Sequence, residues 1–170
     1  MEPQTLSFEQ GPIRPPNEAR SLLLRFTRNC PWNRCRFCPV YKGTDFSRRP
    51  VADVLADIEA VAAWVQTFAP SAVHRPADAG PPLDPGAESA AWNWYRNGMT
   101  SVFLQDANPL AVRPAEMIAI LSLLKERFPG IERITTYARS KTVARISDED
   151  LAAMRAAGLD RVHIGFESGS

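Results

Sequence analysis

Residues 21–38 read SLLLRFTRNCPWNRCRFC, an apolar run that passes directly into a cluster of three cysteines. The run from Ser21 to Thr27 has the length and composition of a buried β-strand. Cys30, Cys35 and Cys38 follow within nine residues, in a segment that we interpret as a loop. The sequence therefore predicts a strand that delivers three thiols to a loop at its carboxyl end.

The rest of the chain alternates short apolar runs with amphipathic helices. Three more strands are predicted, at residues 101–107 (SVFLQDA), 133–139 (RITTYAR) and 161–168 (RVHIGFES). Helices are predicted from Pro50, from about Pro114 and after the capping residue Ser147. This β-α-β-α-β-α-β order predicts an α/β fold with parallel strands. We expect a partial TIM-like (β/α) barrel, truncated after about the fourth strand.

The chain of 170 residues has the length of one domain, with two irregular segments. Residues 1–20 contain four prolines and no periodicity, which predicts an irregular leader. Residues 21–170 form the predicted core. Within it, the segment at about 70–95 begins rich in proline, alanine, aspartate and glycine, which favours a flexible surface insertion.

Composition excludes several classes of function. A net charge of +1 gives no basic surface for nucleic acid. No apolar run approaches the roughly 20 residues that span a bilayer, and the N-terminus lacks the pattern of a secretory signal. Three clustered cysteines are not a disulfide framework, which needs an even number spread along the chain. We expect a cytoplasmic protein with a metal or catalytic site.

The C-x4-C-x2-C spacing is typical of iron–sulfur ligation, because close spacing lets several thiolates converge on one inorganic core. A tetrahedral zinc site needs a fourth protein ligand. His74 and His163 are the two histidines, and they lack the paired spacing of a zinc site. Three thiolates without a fourth leave one iron open to a substrate or cofactor. Buried, incidental thiols are the alternative that this pattern leaves open.

Alternation along the strands predicts which side chains face the barrel interior. In the fourth strand, Val162 and Ile164 lie on the face opposite His163 and Gly165. Polar residues predicted to face the interior from the other strands are Arg25, Thr27, Gln105, Thr135, Tyr137 and Arg139. Because unpartnered buried polar groups are costly, we expect a ligand or ordered water among them.

The cysteine segment resembles that of the radical S-adenosylmethionine (SAM) superfamily. Members carry a three-cysteine loop after the first barrel strand, with an aromatic residue before the last cysteine, where Phe37 stands here. Residues 103–109 and 157–170 resemble the segments of the second and fourth strands. The sequence departs from the pattern of the superfamily in two places. Four residues separate Cys30 from Cys35, where three are usual, and the segment after the second strand lacks the Gly-Gly-Glu pattern.

This resemblance implies a cofactor set and a reaction. Cys30, Cys35 and Cys38 would hold a [4Fe–4S] cluster, and reduced flavodoxin or ferredoxin would supply an electron. The electron would cleave SAM to a 5′-deoxyadenosyl radical, which abstracts hydrogen from a substrate that the sequence does not identify. Residues implied to contact SAM are Phe37, Gln105, Asp106, Asn108, Arg139, Glu167 and Ser168. No protein residue is assigned as a general base.

The sequence leaves three other interpretations open. A non-catalytic iron–sulfur protein for electron transfer or scaffolding is the main alternative, although such carriers normally use four cysteines. A structural zinc module is a second alternative, although it also needs a fourth protein ligand. The chain is also expected to be part of a longer protein, which could bind a cluster without turning over.

Overall fold

The computed structural model describes residues 8–76, 80 and 84–165. Its strands are β1 (Leu22–Arg25), β2 (Thr27–Arg28), β3 (Ser47–Arg48), β4 (Ser101–Gln105), β5 (Arg133–Ala138) and β6 (Arg161–Ile164). Its helices are α1 (Val51–Phe68), α2 (Pro85–Arg96), α3 (Pro114–Arg127), α4 (Ser140–Val143) and α5 (Asp148–Ala156). Short 3₁₀ turns lie at Pro16–Glu18, Pro70–Ala72 and Pro109–Ala111. No helix in these ranges is both long and apolar enough to cross a bilayer.

Four parallel strands form the main sheet, in the order β1-β4-β5-β6. Leu24 pairs with Leu104, Leu104 with Thr136, and Thr136 with Val162, so the register continues across the sheet. The predicted α/β fold and partial β/α barrel are confirmed. The continuation of the fourth predicted strand beyond residue 165 lies outside the described residues.

One face of the sheet carries the hydrophobic core. Leu22, Leu24, Val102, Leu104 and Ile134 are at most 1% exposed and pack with residues of the helices. Helix residues in the same core include Ile58, Trp94, Leu121 and Met154. Burial of each such large side chain contributes about 1.5–3 kcal/mol. The helices therefore cover the outer face, as expected for β/α crossovers.

The opposite face, here called the interior face, carries an aromatic row. Tyr137 and His163 are paired in register, and their ring centroids lie 5.9 Å apart. Phe103 meets the Tyr137 ring edge-on at 5.1 Å. The alternation in the sequence predicted that Tyr137 and His163 share this face.

The prediction of a flexible insertion at about 70–95 is wrong for residues 85–95, because these residues belong to helix α2. Asp84 caps this helix by accepting hydrogen bonds from the Gly86 and Ala87 amides at 2.8 and 3.0 Å. Small alanines and the fully buried Trp94 form its inner side. The Trp94 ring meets Phe128 edge-on at 4.9 Å, which joins α2 to the end of α3.

Residues 8–18, here called the N-terminal strap, contain no helix or strand other than the 3₁₀ turn. They nevertheless bind closely to the sheet. The Gly11 amide donates to Gln105 Oε1 at 2.8 Å, near the carboxyl end of β4. Glu18 is fully buried and accepts from the Thr135 hydroxyl at 2.8 Å, near the start of β5. Because Gln105 and Thr135 belong to the interior face, the strap runs along that face.

Candidate cofactor site

The cysteines lie in a loop closed by a two-stranded ribbon. β2 and β3 pair antiparallel, with Thr27 opposite Arg48 and Arg28 opposite Ser47. The loop between them, residues 29–46, therefore begins and ends at the same place, beyond the carboxyl end of β1. It is here called the cysteine loop. This is the position that the sequence predicted for the three thiols.

Two asparagines shape the cysteine loop. Asn29 and Asn33 have φ angles of 66° and 46°, a left-handed conformation that asparagine tolerates better than most residues. Asn29 Nδ2 donates to the Asp45 carbonyl at 2.6 Å. Asn33 Nδ2 donates to the carbonyls of Tyr41 and Thr44. These bonds fold the loop on itself and hold the cysteines on one side of it.

A cavity of about 490 Å³ lies between this loop and the carboxyl ends of the strands. All three cysteines line it. Its other lining residues are Ile13, Trp32, Phe37, Tyr41, Ala107, Tyr137, Ala138, Arg139, Ser140, His163 and Gly165. In parallel α/β folds, this end of the strands is where cofactors and substrates bind.

The three thiols fit the donor set of an iron–sulfur cluster. Each is free of a disulfide and partly exposed, and all three border one cavity. In the described part of the chain, no three histidine, cysteine, aspartate or glutamate side chains are grouped closely enough to hold a metal ion. Cysteine thiolates are the protein ligands that hold iron–sulfur clusters.

Asp106 lies under the loop rather than in the cavity. Its carboxylate is fully buried and accepts from Arg25 Nη2 at 2.8 Å. It also accepts from the Asn29 amide at 3.2 Å and from the Tyr41 hydroxyl. Burial, together with this hydrogen bond to Asp106, raises the pKa of Tyr41, so its hydroxyl stays protonated.

Gln105 and Asn108 are also bonded to neighbouring protein groups. Gln105 Nε2 donates to the Ile13 carbonyl at 2.6 Å, which fixes the strap. Asn108 Oδ1 accepts from the Arg139 amide at 3.0 Å, and its Nδ2 donates to the Thr142 hydroxyl at 3.0 Å. Neither residue lines the cavity. The structure thus places Gln105, Asp106 and Asn108 around the base of the predicted site, in structural contacts.

Phe37 and Arg139, which the resemblance implies as SAM contacts, line the cavity. The Arg139 guanidinium lies 4.8 Å from the centroid of the Trp32 ring, and that of Arg34 lies 5.2 Å from it. Cation–π contacts of this kind hold Arg139 beside the cysteines. Glu167 and Ser168, the two remaining predicted SAM contacts, lie outside the described residues.

Sequence reasoning missed Tyr41 as a site residue. Its hydroxyl binds a carboxylate 65 residues away, and no local pattern indicates such a contact. His163 lines the cavity, and its Nε2 atom is buried without a hydrogen-bond partner among the described residues. A buried, unpartnered polar atom at a cavity wall favours a ligand there, as expected for the interior face.

An ion network joins the strap to β1 and to the β2–β3 ribbon that closes the cysteine loop. Glu9 pairs with Arg25 and Arg28 at 2.7 Å each, and with Arg49 at 3.3 Å. Burial opposes the charge of Glu9, but the hydrogen bond and charge of Arg28, with the other arginines, hold the pKa of Glu9 below its usual value. Arg49 also pairs with the buried Asp57 at 2.6 Å.

A parallel sheet with three free thiols over the carboxyl ends of its strands defines a β/α-barrel protein with a cysteine-lined cavity at that end of the sheet. A family profile described as the Radical SAM superfamily matches residues 24–170. The chain therefore belongs to the radical SAM superfamily, whose members generally use a [4Fe–4S] cluster and SAM. No curated protein and no solved structure gives a significant match to the chain.

Proposed function

We propose that the protein is an enzyme that cleaves SAM reductively at a [4Fe–4S] cluster held by Cys30, Cys35 and Cys38. The observation that carries this proposal is that all three free thiols line one cavity over the carboxyl ends of the strands. Its volume of about 490 Å³ lies within the range of small-molecule sites. Membership of the superfamily supports the same conclusion.

When bound, a [4Fe–4S] cluster would supply the one electron needed to cleave SAM reductively to methionine and a 5′-deoxyadenosyl radical, which would abstract hydrogen from a substrate. The thiolates of Cys30, Cys35 and Cys38 would hold this cluster. The surrounding protein orients the cofactors and limits the access of water. No described side chain has to act as a general base in this scheme.

The walls of the cavity supply the SAM contacts. We assign Arg139 to the SAM carboxylate, because its guanidinium is held at the cavity by Trp32. His163 Nε2 offers an unused hydrogen-bonding group, and Phe37 offers an aromatic surface. Glu167 and Ser168 keep the role of SAM contacts that the resemblance implies. Gln105, Asp106 and Asn108 act by holding their neighbours.

The electron enters at the cysteine loop, where two aromatic residues of the cavity lining are also exposed to solvent. Phe37 is 66% exposed and Trp32 is 44% exposed, so the loop presents an aromatic surface beside the thiols. Reduced flavodoxin or ferredoxin is the proposed donor, and it would dock at this surface. The three cysteines must stay reduced to bind iron, which is consistent with a cytoplasmic location.

The test is anaerobic reconstitution with iron and sulfide, followed by addition of SAM and dithionite. We expect about four irons per chain and formation of 5′-deoxyadenosine. A protein that loads only zinc would contradict the proposal. A protein that holds a redox-active cluster but forms no 5′-deoxyadenosine would instead be the non-catalytic iron–sulfur protein considered above.

A further inference from the structure

We infer that Asp106 is a positioning residue that fastens the cysteine loop to the sheet on both sides of the three cysteines and thereby sets the arrangement of the thiols. This inference rests on the proposed function only where it concerns the bound cluster. It assigns Asp106 a role different from the SAM contact that the resemblance implied.

The contacts of Asp106 fall on either side of the cysteines. Asn29 immediately precedes Cys30, and its amide donates to Asp106 Oδ2 at 3.2 Å. Tyr41 comes three residues after Cys38, and its hydroxyl donates to Asp106 Oδ1. One carboxylate thus joins the entry and the exit of the nine-residue segment that carries all three thiols.

The carboxylate is itself held in place. It directly follows β4, an inner strand of the sheet, and it is fully buried. Arg25 at the end of β1 balances its charge at 2.8 Å, and Glu9 of the strap holds the other side of that guanidinium at 2.7 Å. A buried carboxylate with such partners has little freedom to move, so it can hold the loop that binds to it in a fixed position.

Gly11 of the strap packs closely against the Asp106 carboxylate. A Cβ atom at Gly11 would lie 3.1 Å from both Cγ and Oδ1 of Asp106. Any larger residue at position 11 would therefore press on the carboxylate. The strap closes over Asp106 with a residue that has no side chain, which leaves the carboxylate oxygens to Arg25, Asn29 and Tyr41.

Asp106→Asn tests this role, because the substitution keeps the size of the side chain but removes its charge and one hydrogen-bond acceptor. Tyr41→Phe is a milder variant that removes a single hydroxyl. Glu18→Gln is the matched control: Glu18 is equally buried, but it binds Ser21 and Thr135 near the amino ends of the strands.

Two measurements apply to each variant. Hydrogen exchange of the cluster-free protein reports on the loop directly. In Asp106→Asn and Tyr41→Phe we expect faster exchange, confined to the segment around residues 29–41. In Glu18→Gln we expect this segment to exchange at the wild-type rate. After reconstitution, we expect a chelator to strip the cluster from Asp106→Asn about tenfold faster than from the wild type, the usual size of an outer-sphere effect.

The inference is overturned if Asp106→Asn and Tyr41→Phe exchange and retain the cluster as the wild type does. If Asp106→Asn unfolds throughout, Tyr41→Phe decides the matter by the same two measurements. If the wild type binds no cluster, the proposed function fails, while the hydrogen-exchange comparison still decides the role of Asp106.

Discussion

Arg139 and Arg34 contact the same ring but differ in what else they reach. Both guanidinium groups lie within 5.2 Å of the Trp32 ring centroid, yet only Arg139 lines the cavity with the thiols. The backbone amide of Arg139 is also fixed by Asn108 at 3.0 Å. A side chain held at both ends is suited to bind an anionic group without a large loss of conformational entropy.

Arg139→Ala is therefore expected to weaken SAM binding. Loss of a charge-assisted hydrogen bond of about 1.5–3 kcal/mol corresponds to an increase of about 10- to 150-fold in the KM for SAM. We expect a smaller change in the rate of 5′-deoxyadenosine formation at saturating SAM. Arg34→Ala is the control, and its KM should stay near the wild-type value. Equal effects of the two substitutions would show that Arg139 acts only through Trp32.

At the scale of elements, α2 shows how one face of a helix is tied to the core. Trp94 has no exposed surface, and its Nε1 donates to the Ser101 carbonyl at 2.8 Å. Trp92 on the same helix is 47% exposed and contacts Phe68 and Tyr95 on the surface. The same residue type thus occupies two environments within one turn.

Trp94→Ala should destabilise the protein strongly, by about 3–5 kcal/mol, because it leaves a cavity between α2, Phe128 and the sheet. Trp92→Ala should cost much less, since water already reaches that ring. The free energy of unfolding, measured by urea titration of both variants, checks this difference. Similar losses from the two substitutions would mean that α2 is not anchored through Trp94.

The sequence predicted the strands and the helices around them better than the contacts between them. Alternation placed Tyr137 and His163 on one face, because strand geometry is a local property. Helix α2 was missed because the proline-rich residues before it obscured the Asp84 cap and its alanine-rich inner face. The bonds from Asp106 to Tyr41 and from Gln105 to Gly11 span 65 and 94 residues, and only the folded chain brings those partners together.

At the scale of the whole molecule, the N-terminal strap links the outer helices, the interior face and the cysteine loop. Phe8 donates its amide to Asp84 at the start of α2, and Ile13 reaches the cavity. Glu9 joins three arginines between these points. The strap thus ties the part of the chain before β1 to the cofactor site.

The Glu9 network should make stability depend on pH. Because the folded protein holds the pKa of Glu9 below its ordinary value of 4.5, its contribution is present above that value and is lost as the pH falls through the lower pKa of the folded state. Glu9→Gln should lower the stability near pH 7 and flatten this acid limb. Glu59→Gln removes a partly exposed carboxylate that pairs with Arg127, and should keep the wild-type profile. A wild-type profile in Glu9→Gln would exclude the network as its source.

The most direct test of the central claim compares 5′-deoxyadenosine formed by the reconstituted wild type, Cys35→Ala and Ser89→Ala. Both substitutions remove one γ atom, but Ser89 is exposed on α2, away from the cavity. The wild type and Ser89→Ala are predicted to hold about four irons per chain and to form 5′-deoxyadenosine. Cys35→Ala is predicted to lose both properties. Formation of 5′-deoxyadenosine by Cys35→Ala at the wild-type rate would contradict a cluster held by these three thiols.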